Sequence, residues 1–328
     1  MTLHDAAIEL RGVTKTFGGT LAVDSLDLSI PRGALYGFIG PNGAGKTTSI
    51  RMMMAILFPD SGDLTVLGRR SALEAKDRIG YLPEERGVYR KMRVAAYLAY
   101  IAQLKGVAKD GLAQRVSLLL ERVGLGGVES KKCEELSKGM LQKIQFVAAI
   151  LHEPDLLILD EPFSGLDPIS TRLLREQIVA EHRRGATILF STHVMPQAEE
   201  ICEQVVMIHR GRKVLDESVA AIRRRHDPRA LVLEPLDPHA DVATAVEALP
   251  AIERCVRADG AYELVLRDGA DPTAAMQELA AAVPAVRIER KRPSLEDVFV
   301  ELVVASTASD EEEETLRAAL ESWKKGEP

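Results

Sequence analysis

Gly40-Pro41-Asn42-Gly43-Ala44-Gly45-Lys46-Thr47 is the stretch on which the reading of the fold turns. Upstream, Ala34 to Ile39 is a short apolar run that ends in glycine. Downstream, from Lys46 to Leu57, the apolar residues Ile50, Met53, Met54 and Leu57 fall at helical spacing. The order is strand, glycine loop, helix, which is the context that the spacing G-x-x-x-x-G-K-[ST] requires. Glycine lets the loop turn its backbone N–H groups inward with no Cβ in the way, and the following helix aims its positive end at the same point. Such a loop cradles phosphate. Lys46 is placed to reach the β- and γ-phosphates as a point charge, and the Thr47 hydroxyl to ligate Mg²⁺. The plain alternative is a glycine turn capping an ordinary helix.

A second stretch argues against that alternative. Leu156-Leu157-Ile158-Leu159-Asp160-Glu161-Pro162 sets two carboxylates at the end of a fully apolar strand. Ligands of open parallel sheets collect at the carboxyl ends of the strands. There Asp160 can hold Mg²⁺ through water while Glu161 positions and polarises an attacking water. The bland reading is a pair of exposed turn carboxylates.

The rest of the chain bounds these motifs. Its 328 residues are enough for two domains, and 46% hydrophobic with 28% charged residues is the balance of a soluble chain that buries a core. A formal charge of -7 repels a phosphate backbone, so nucleic acid is not expected as the main partner. Three cysteines, Cys133, Cys202 and Cys255, lack any C-x-x-C pairing, which disfavours a disulfide framework or a zinc site and fits a reducing cytosol. The first ten residues carry neither a basic nor an apolar signal region, and no window approaches 18 consecutive apolar residues. The expectation is a mature chain that does not itself cross a membrane.

Period-two patterning through Ile8, Leu10 and Val13, then Leu26, Leu28 and Ile30, predicts β-structure over residues 7–39. Residues 92–152 carry three helical stretches, Val94 to Leu104, Gly111 to Val123 and Met140 to Leu151, and read as a helical insert. Strands at Leu156 to Leu159, Thr187 to Ser191, Val205 to Ile208 and Lys213 to Leu215 then alternate with helices at about 169–183 and 196–202, predicting a parallel sheet covered by helices. The charged segment Arg223 to Pro228 marks a boundary and reads as a solvated linker. Beyond it, strand-like Ala230 to Leu233, Ala261 to Leu266 and Val286 to Glu289 alternate with helical Asp241 to Leu249 and Pro272 to Ala282.

Over about residues 5–217 the chain resembles the ATP-binding cassette (ABC) ATPases, the motor subunits of membrane transporters. Leu136-Ser137-Lys138-Gly139-Met140 resembles the signature LSGGQ, Ser164-Gly165-Leu166-Asp167 the D-loop, and Ser191-Thr192-His193 the switch histidine segment. Phe17 stands where the family stacks an aromatic ring on adenine, a contact of about 1–3 kcal/mol. The resemblance implies an α/β P-loop NTPase cassette with a mixed sheet core, an antiparallel β subdomain and a helical subdomain, plus a small C-terminal α/β domain. The implied division is a cassette over 5–220, a linker over 221–229, an accessory domain over 230–304 and an acidic tail over 305–328.

The resemblance also implies the site. The cofactors are ATP and Mg²⁺, with Glu161, His193 and Lys46 as catalytic residues. Nucleotide contacts come from Phe17, from Gly40, Pro41, Asn42, Gly43, Ala44, Gly45, Lys46, Thr47 and Thr48, and from Glu84, Ser137, Lys138, Gly139 and Asp167. Thr47, Asp160 and Glu84 are the implied metal ligands. In the family the signature helix is too far from its own phosphate loop to touch the same nucleotide, so the partner is a second ABC ATPase subunit, expected as a homodimer. A separate polytopic permease holds the pair on the cytoplasmic face of the membrane, with export as the expected direction. Each residue has a bland alternative: a core phenylalanine for Phe17, a plain helix cap for Ser137, a structural ring for His193.

Two departures stand out. Glu84, in Tyr81-Leu82-Pro83-Glu84, occupies the position where the family commonly has glutamine, and Lys138 and Met140 replace a glycine and a glutamine of the signature. Glu84 adds negative charge near a triphosphate, and Lys138 can offset it.

Pro293 to Leu302 begins with a Ser cap and carries Leu295, Val298, Phe299 and Leu302 at helical spacing, resembling the closing element of the accessory domain of exporter-type cassettes. In the tail, Ser309-Asp310-Glu311-Glu312 forms a capping box ahead of an amphipathic pattern, Leu316, Ala319, Leu320 and Trp323, whose acidic start favours docking on protein over anionic lipid. The competing reading of the whole is an ATP-gated regulatory or ribosome-binding module without a transport role, which more often carries two cassettes.

Overall fold

The structure, a computed structural model, describes residues 6–85, 87–258 and 260–305. The helix expected in the acidic tail lies outside the described residues. The chain divides into two compact units after Val219.

The first unit holds two sheets. β1 (Ala6–Phe17) pairs antiparallel with β2 (Thr20–Pro31) and β4 (Ser61–Val66), in the order β2-β1-β4. Ile8, Leu10 and Val13 are all buried although the last step is three residues long. A register shift between Leu10 and Val13, with Gly12 at φ 57°, brings the chain back into phase as a bulge does. The second sheet combines β3 (Leu35–Ile39), β5 (Ile79–Leu82), β6 (Leu156–Asp160), β7 (Thr187–Thr192), β8 (Gln204–His209) and β9 (Arg212–Ser218), in the order β5-β6-β7-β3-β8-β9. All neighbours run parallel except β8 and β9. β3, β6 and β7 are buried at every position, which is why they read as unbroken apolar runs.

α1 (Lys46–Met53) touches β2, β4 and β6 and so links the two sheets, whose facing side chains, among them Ile8, Phe38, Ile50 and Ile158, form one core. It is shorter than the expected stretch to Leu57, because Ala55 adopts φ 54° and turns the chain away. α2 (Val94–Leu104), α3 (Leu112–Arg122) and α4 (Lys138–Ile150) pack on one another as the helical insert. α4 starts two residues before the expected Met140, with Ser137 Oγ accepting the Met140 N–H at 3.2 Å. α5 (Pro168–Arg184) and α6 (Met195–Ile201) follow β6 and β7.

The segment expected as a linker is partly helical: α7 (Val219–Arg225) carries the three arginines in its last turn and buries Ile222. The apolar positions Val219 and Ile222 give it an inner side that the charge run hides from a reading by composition.

The second unit is an antiparallel sheet with the order β11-β12-β10-β13, built from β10 (Ala230–Pro235), β11 (Ile252–Ala258), β12 (Ala261–Leu266) and β13 (Ala285–Arg290). α8 (Val242–Glu247) and α9 (Pro272–Ala282) cover one face, packing Val242, Val246, Ala275 and Leu279 on Leu231, Leu233, Tyr262 and Leu264. Asp241 and Asp271 cap the two helices. α10 (Leu295–Ala305) follows β13, with Leu295, Val298, Phe299 and Val303 buried. Ser294 caps it, its Oγ accepting the Asp297 N–H at 3.1 Å.

Candidate active site

Parallel pairing decides where the chemistry gathers. Ile39 pairs with Thr192, Asp160 with Ser191, and Leu82 with Leu159, so β3, β5, β6 and β7 end together. The next residues of the chain, Gly40, Pro83-Glu84, Glu161 and His193, therefore leave the sheet along one edge. A cavity of about 280 Å³ opens there, lined by Asn42 to Thr48, Glu84 and Glu161, with Ala22 of β2 on its wall.

The glycines of the loop are needed where they stand. A Cβ at Gly40 would sit 2.2 Å from the Ile208 carbonyl oxygen, and one at Gly45, where φ is 102°, would sit 2.4 Å from that of Ala22. Ala44 accepts the Gly211 N–H at 2.9 Å, fastening the loop to the β8–β9 turn. Lys46 is only 6% exposed and donates from Nζ to the Gly40 carbonyl at 2.7 Å and the Pro41 carbonyl at 3.1 Å. Burial lowers its pKa, against the charges of Glu161, Asp160 and Glu84.

Glu161 is 6% exposed and has φ 49°, a left-handed backbone that a glutamate adopts at a cost of about 1 kcal/mol or more. The turn swings its carboxylate over the sheet edge. Oε1 accepts the His193 N–H at 2.8 Å and lies 2.7 Å from His193 Nδ1, while Oε2 accepts the Thr192 hydroxyl at 3.2 Å. The ring contact requires the proton on Nδ1, and the hydrogen bond to Glu161 is the main reason the His193 pKa is raised. Thr192, quoted above only within the switch histidine segment, and Ala22, not a candidate from its sequence context, also take part in this arrangement. The only signals for them are a hydroxyl one residue before His193 and a small residue opposite the loop.

Asp160 is fully buried, and neither of its oxygens has a hydrogen-bond partner of good geometry among the described residues. Burial raises its pKa, the Ser191 and Thr47 hydroxyls oppose this, and the charges of Glu84 and Glu161 raise it further. A buried carboxylate without partners, facing a threonine hydroxyl, is a site short of a cation. No group of three or more His, Cys, Asp or Glu side chains among the described residues can hold a metal by itself. That combination suits Mg²⁺, which keeps its waters and is held by one or two protein oxygens together with substrate phosphates.

Residues 23–164 match the family described as "ABC transporter", and residues 218–303 match "ATP-binding protein DrrA1-3-like, C-terminal domain". The chain is 40% identical over 294 residues to the uncharacterized ABC transporter ATP-binding protein YhaQ of Bacillus subtilis (strain 168), covering 89% of this chain and 97% of that one. This chain belongs to the ABC transporter ATP-binding proteins. It is 33% identical over 304 residues to the Nod factor export ATP-binding protein I of Rhizobium sp. (strain N33), covering 92% and 98% of the two chains. A solved ATP binding subunit of an ABC transporter is 30% identical, with a TM-score of 0.63 over 67% of this chain and 93% of that one.

As an ABC ATPase it binds and hydrolyses ATP on a P-loop NTPase α/β fold, with the mixed and antiparallel sheets and the helical insert expected from the sequence. The remaining ABC motifs lie apart from the cavity lining. Ser137 and Lys138 are exposed at the start of α4, and Gly139 sits against the D-loop, where an added Cβ would be 3.3 Å from Leu166 Cδ2. Asp167 caps α5, its carboxylate accepting the Ser170 N–H at 2.9 Å and the Ser170 hydroxyl at 2.7 Å, and these bonds lower its pKa. Phe17 is 46% exposed at the tip of the β1–β2 hairpin, with Lys15 Nζ 5.5 Å from its ring centroid. No helix among the described residues is long and apolar enough to cross a membrane.

Proposed function

We propose that this ABC ATPase works as a dimer around two Mg-ATP and drives a separate membrane permease in export. The observation that carries the reading is the charge at the strand ends: three carboxylates, Asp160, Glu161 and Glu84, surround the buried ammonium of Lys46. A triphosphate adds further negative charge, so it enters with a cation. Thr47, Asp160 and Glu84 would hold Mg²⁺ there, and the ion when bound neutralises phosphate charge.

The chain's own groups supply the rest. The loop N–H groups and Lys46 fix the β- and γ-phosphates. Glu161, oriented by His193 and Thr192, accepts the proton of the attacking water as the new P–O bond forms and ADP leaves. Ser137, Lys138 and Gly139 lie outside the cavity of their own chain, at the open N–H end of α4, where they can grip the γ-phosphate carried by a second copy. Asp167 and Phe17 would act at the same interface and on adenine. Closure around nucleotide and release after hydrolysis is the stroke passed to the permease.

Export as the direction is supported by the relatives named for Nod factor export, and a permease partner by the relatives named as ABC transporter ATP-binding proteins. ATPase assays on the wild type and Glu161→Gln, together with purification from membranes, test the proposal. Loss of turnover with retained nucleotide binding, and co-purification of a polytopic membrane chain, are expected. Full turnover by Glu161→Gln, or a chain that purifies without any membrane partner, overturns it.

A further inference from the structure

The ring of Phe17, at the tip of the β1–β2 hairpin, is held by a residue outside that hairpin. Asp60, immediately before β4, bonds to each of the three residues ahead of the ring. Its N–H donates to the Thr14 carbonyl at 2.9 Å, its Oδ2 accepts the Thr16 N–H at 2.7 Å, and its Oδ1 accepts from Lys15 Nζ at 2.7 Å. The bonds from Lys15 and Thr16 keep the Asp60 carboxyl below the usual carboxylate range. The Lys15 side chain is only 17% exposed, and its ammonium stands over the Phe17 ring, 5.5 Å from the centroid. Carboxylate, ammonium and ring thus form a chain of contacts in which each group sets the position of the next. Asp60 and Phe17 are both exposed, so core packing does not account for the arrangement.

We propose that Asp60 is a positioning residue for nucleotide binding, acting through Lys15 and the Thr16 backbone to hold the Phe17 ring ready for the purine base. The inference deepens the proposed action of Phe17 on adenine and rests on it. The ring is within reach of a base whose phosphates lie in the cavity. Phe17 pairs with Thr20, and Ala22, two residues farther along β2 and so about 7 Å away, lines the cavity wall. A ring at a hairpin tip that is free to turn has to be ordered by each ligand, and that cost weakens binding. A ring already fixed stacks without it. The Lys15 ammonium occupies one side of the π-system and leaves the other for the base. Both oxygens of Asp60 are engaged, one by the lysine and one by the backbone, so an amide with its single acceptor oxygen can replace only one of the two bonds. Asp60 does not line the phosphate cavity, which confines its effect to the base.

A ligand with the base, compared with one that lacks it, tests this on the full-length protein. Calorimetric titration gives the Kd of Mg-ADP, and competition against Mg-ADP gives that of Mg-pyrophosphate, which can occupy the phosphate cavity alone. Phe17→Ala is expected to weaken Mg-ADP at least about fivefold, the lower end for a base stacked on an aromatic ring, and Asp60→Ala at least about threefold, while Mg-pyrophosphate changes less than about twofold in both. Asp60→Asn should fall between the wild type and Asp60→Ala. In the Phe17→Ala background, Asp60→Ala should weaken Mg-ADP by less than about twofold, since the ring it positions is gone. Unchanged Mg-ADP binding by Phe17→Ala would mean that the base does not rest on this ring, and the proposal falls with that reading. If Phe17→Ala weakens Mg-ADP but Asp60→Ala does not, the proposal alone is overturned. The same holds if Asp60→Ala weakens Mg-ADP and Mg-pyrophosphate alike, or acts as strongly without the ring.

Discussion

Glu161 Oε1 accepts two hydrogen bonds from one residue, the His193 backbone N–H at 2.8 Å and the ring Nδ1–H at 2.7 Å. The ends of β6 and β7 are thereby tied together, and the carboxylate that faces the cavity has a fixed direction. His193 should consequently stabilise the fold in a pH-dependent way. Its folded pKa lies above the unfolded value of about 6.5, so its contribution is complete below that value and is lost as pH rises through the folded pKa. His193→Ala is expected to cost stability at pH 6 and progressively less towards pH 9, by under about 1 kcal/mol because the ring is partly exposed. Urea unfolding at a series of pH values measures the difference, and a cost that grows with pH would contradict the pairing.

Asp160 works in the opposite sense. Its folded pKa is raised, so the folded state holds its proton more tightly, and stability drops as pH climbs from the unfolded value of about 3.9 through the folded one. Above that range a buried charge without partners burdens the nucleotide-free protein. Asp160→Asn is expected to raise its stability at pH 7.5 by roughly 1 kcal/mol while abolishing any gain on adding Mg²⁺ with nucleotide. Thermal unfolding with and without Mg-ATP checks both halves. A less stable variant that still responds to Mg²⁺ would assign Asp160 to packing alone.

The parts of the site that were legible in the sequence are those whose chemistry is local. The glycine loop and the Asp160-Glu161 strand end announce themselves because unbroken burial makes β3 and β6 continuous apolar runs. β5 escaped the reading. It has four residues, and its Gly80 reflects a tertiary fact: a Cβ there would sit 2.2 Å from the Ala149 carbonyl oxygen of α4. β11, with Glu253, Arg254 and Arg257 exposed at the sheet's edge, lacks an alternating pattern to read. The left-handed turn at Glu161, the Thr192 bond to it and the capping by Asp167 depend on backbone geometry, on which residue type alone is silent.

Glu84 and Lys138 offer a test of how the site is completed. Glu84 lines the cavity of its own chain and Lys138 does not, so in the proposed dimer the two would meet at one nucleotide. In a double-mutant cycle on kcat, Glu84→Gln and Lys138→Gly are expected to couple by at least about 0.5 kcal/mol. Turnover changes that add within about 0.3 kcal/mol would mean that the two charges work independently.

The central claim is that each chain carries part of an active centre and a second copy supplies the remainder. Light scattering on Glu161→Gln, with Mg-ATP and again with Mg-ADP, tests it most directly. The expected result is twice the chain mass with Mg-ATP and a single chain with Mg-ADP. A variant that holds Mg-ATP tightly and remains a single chain would contradict the claim.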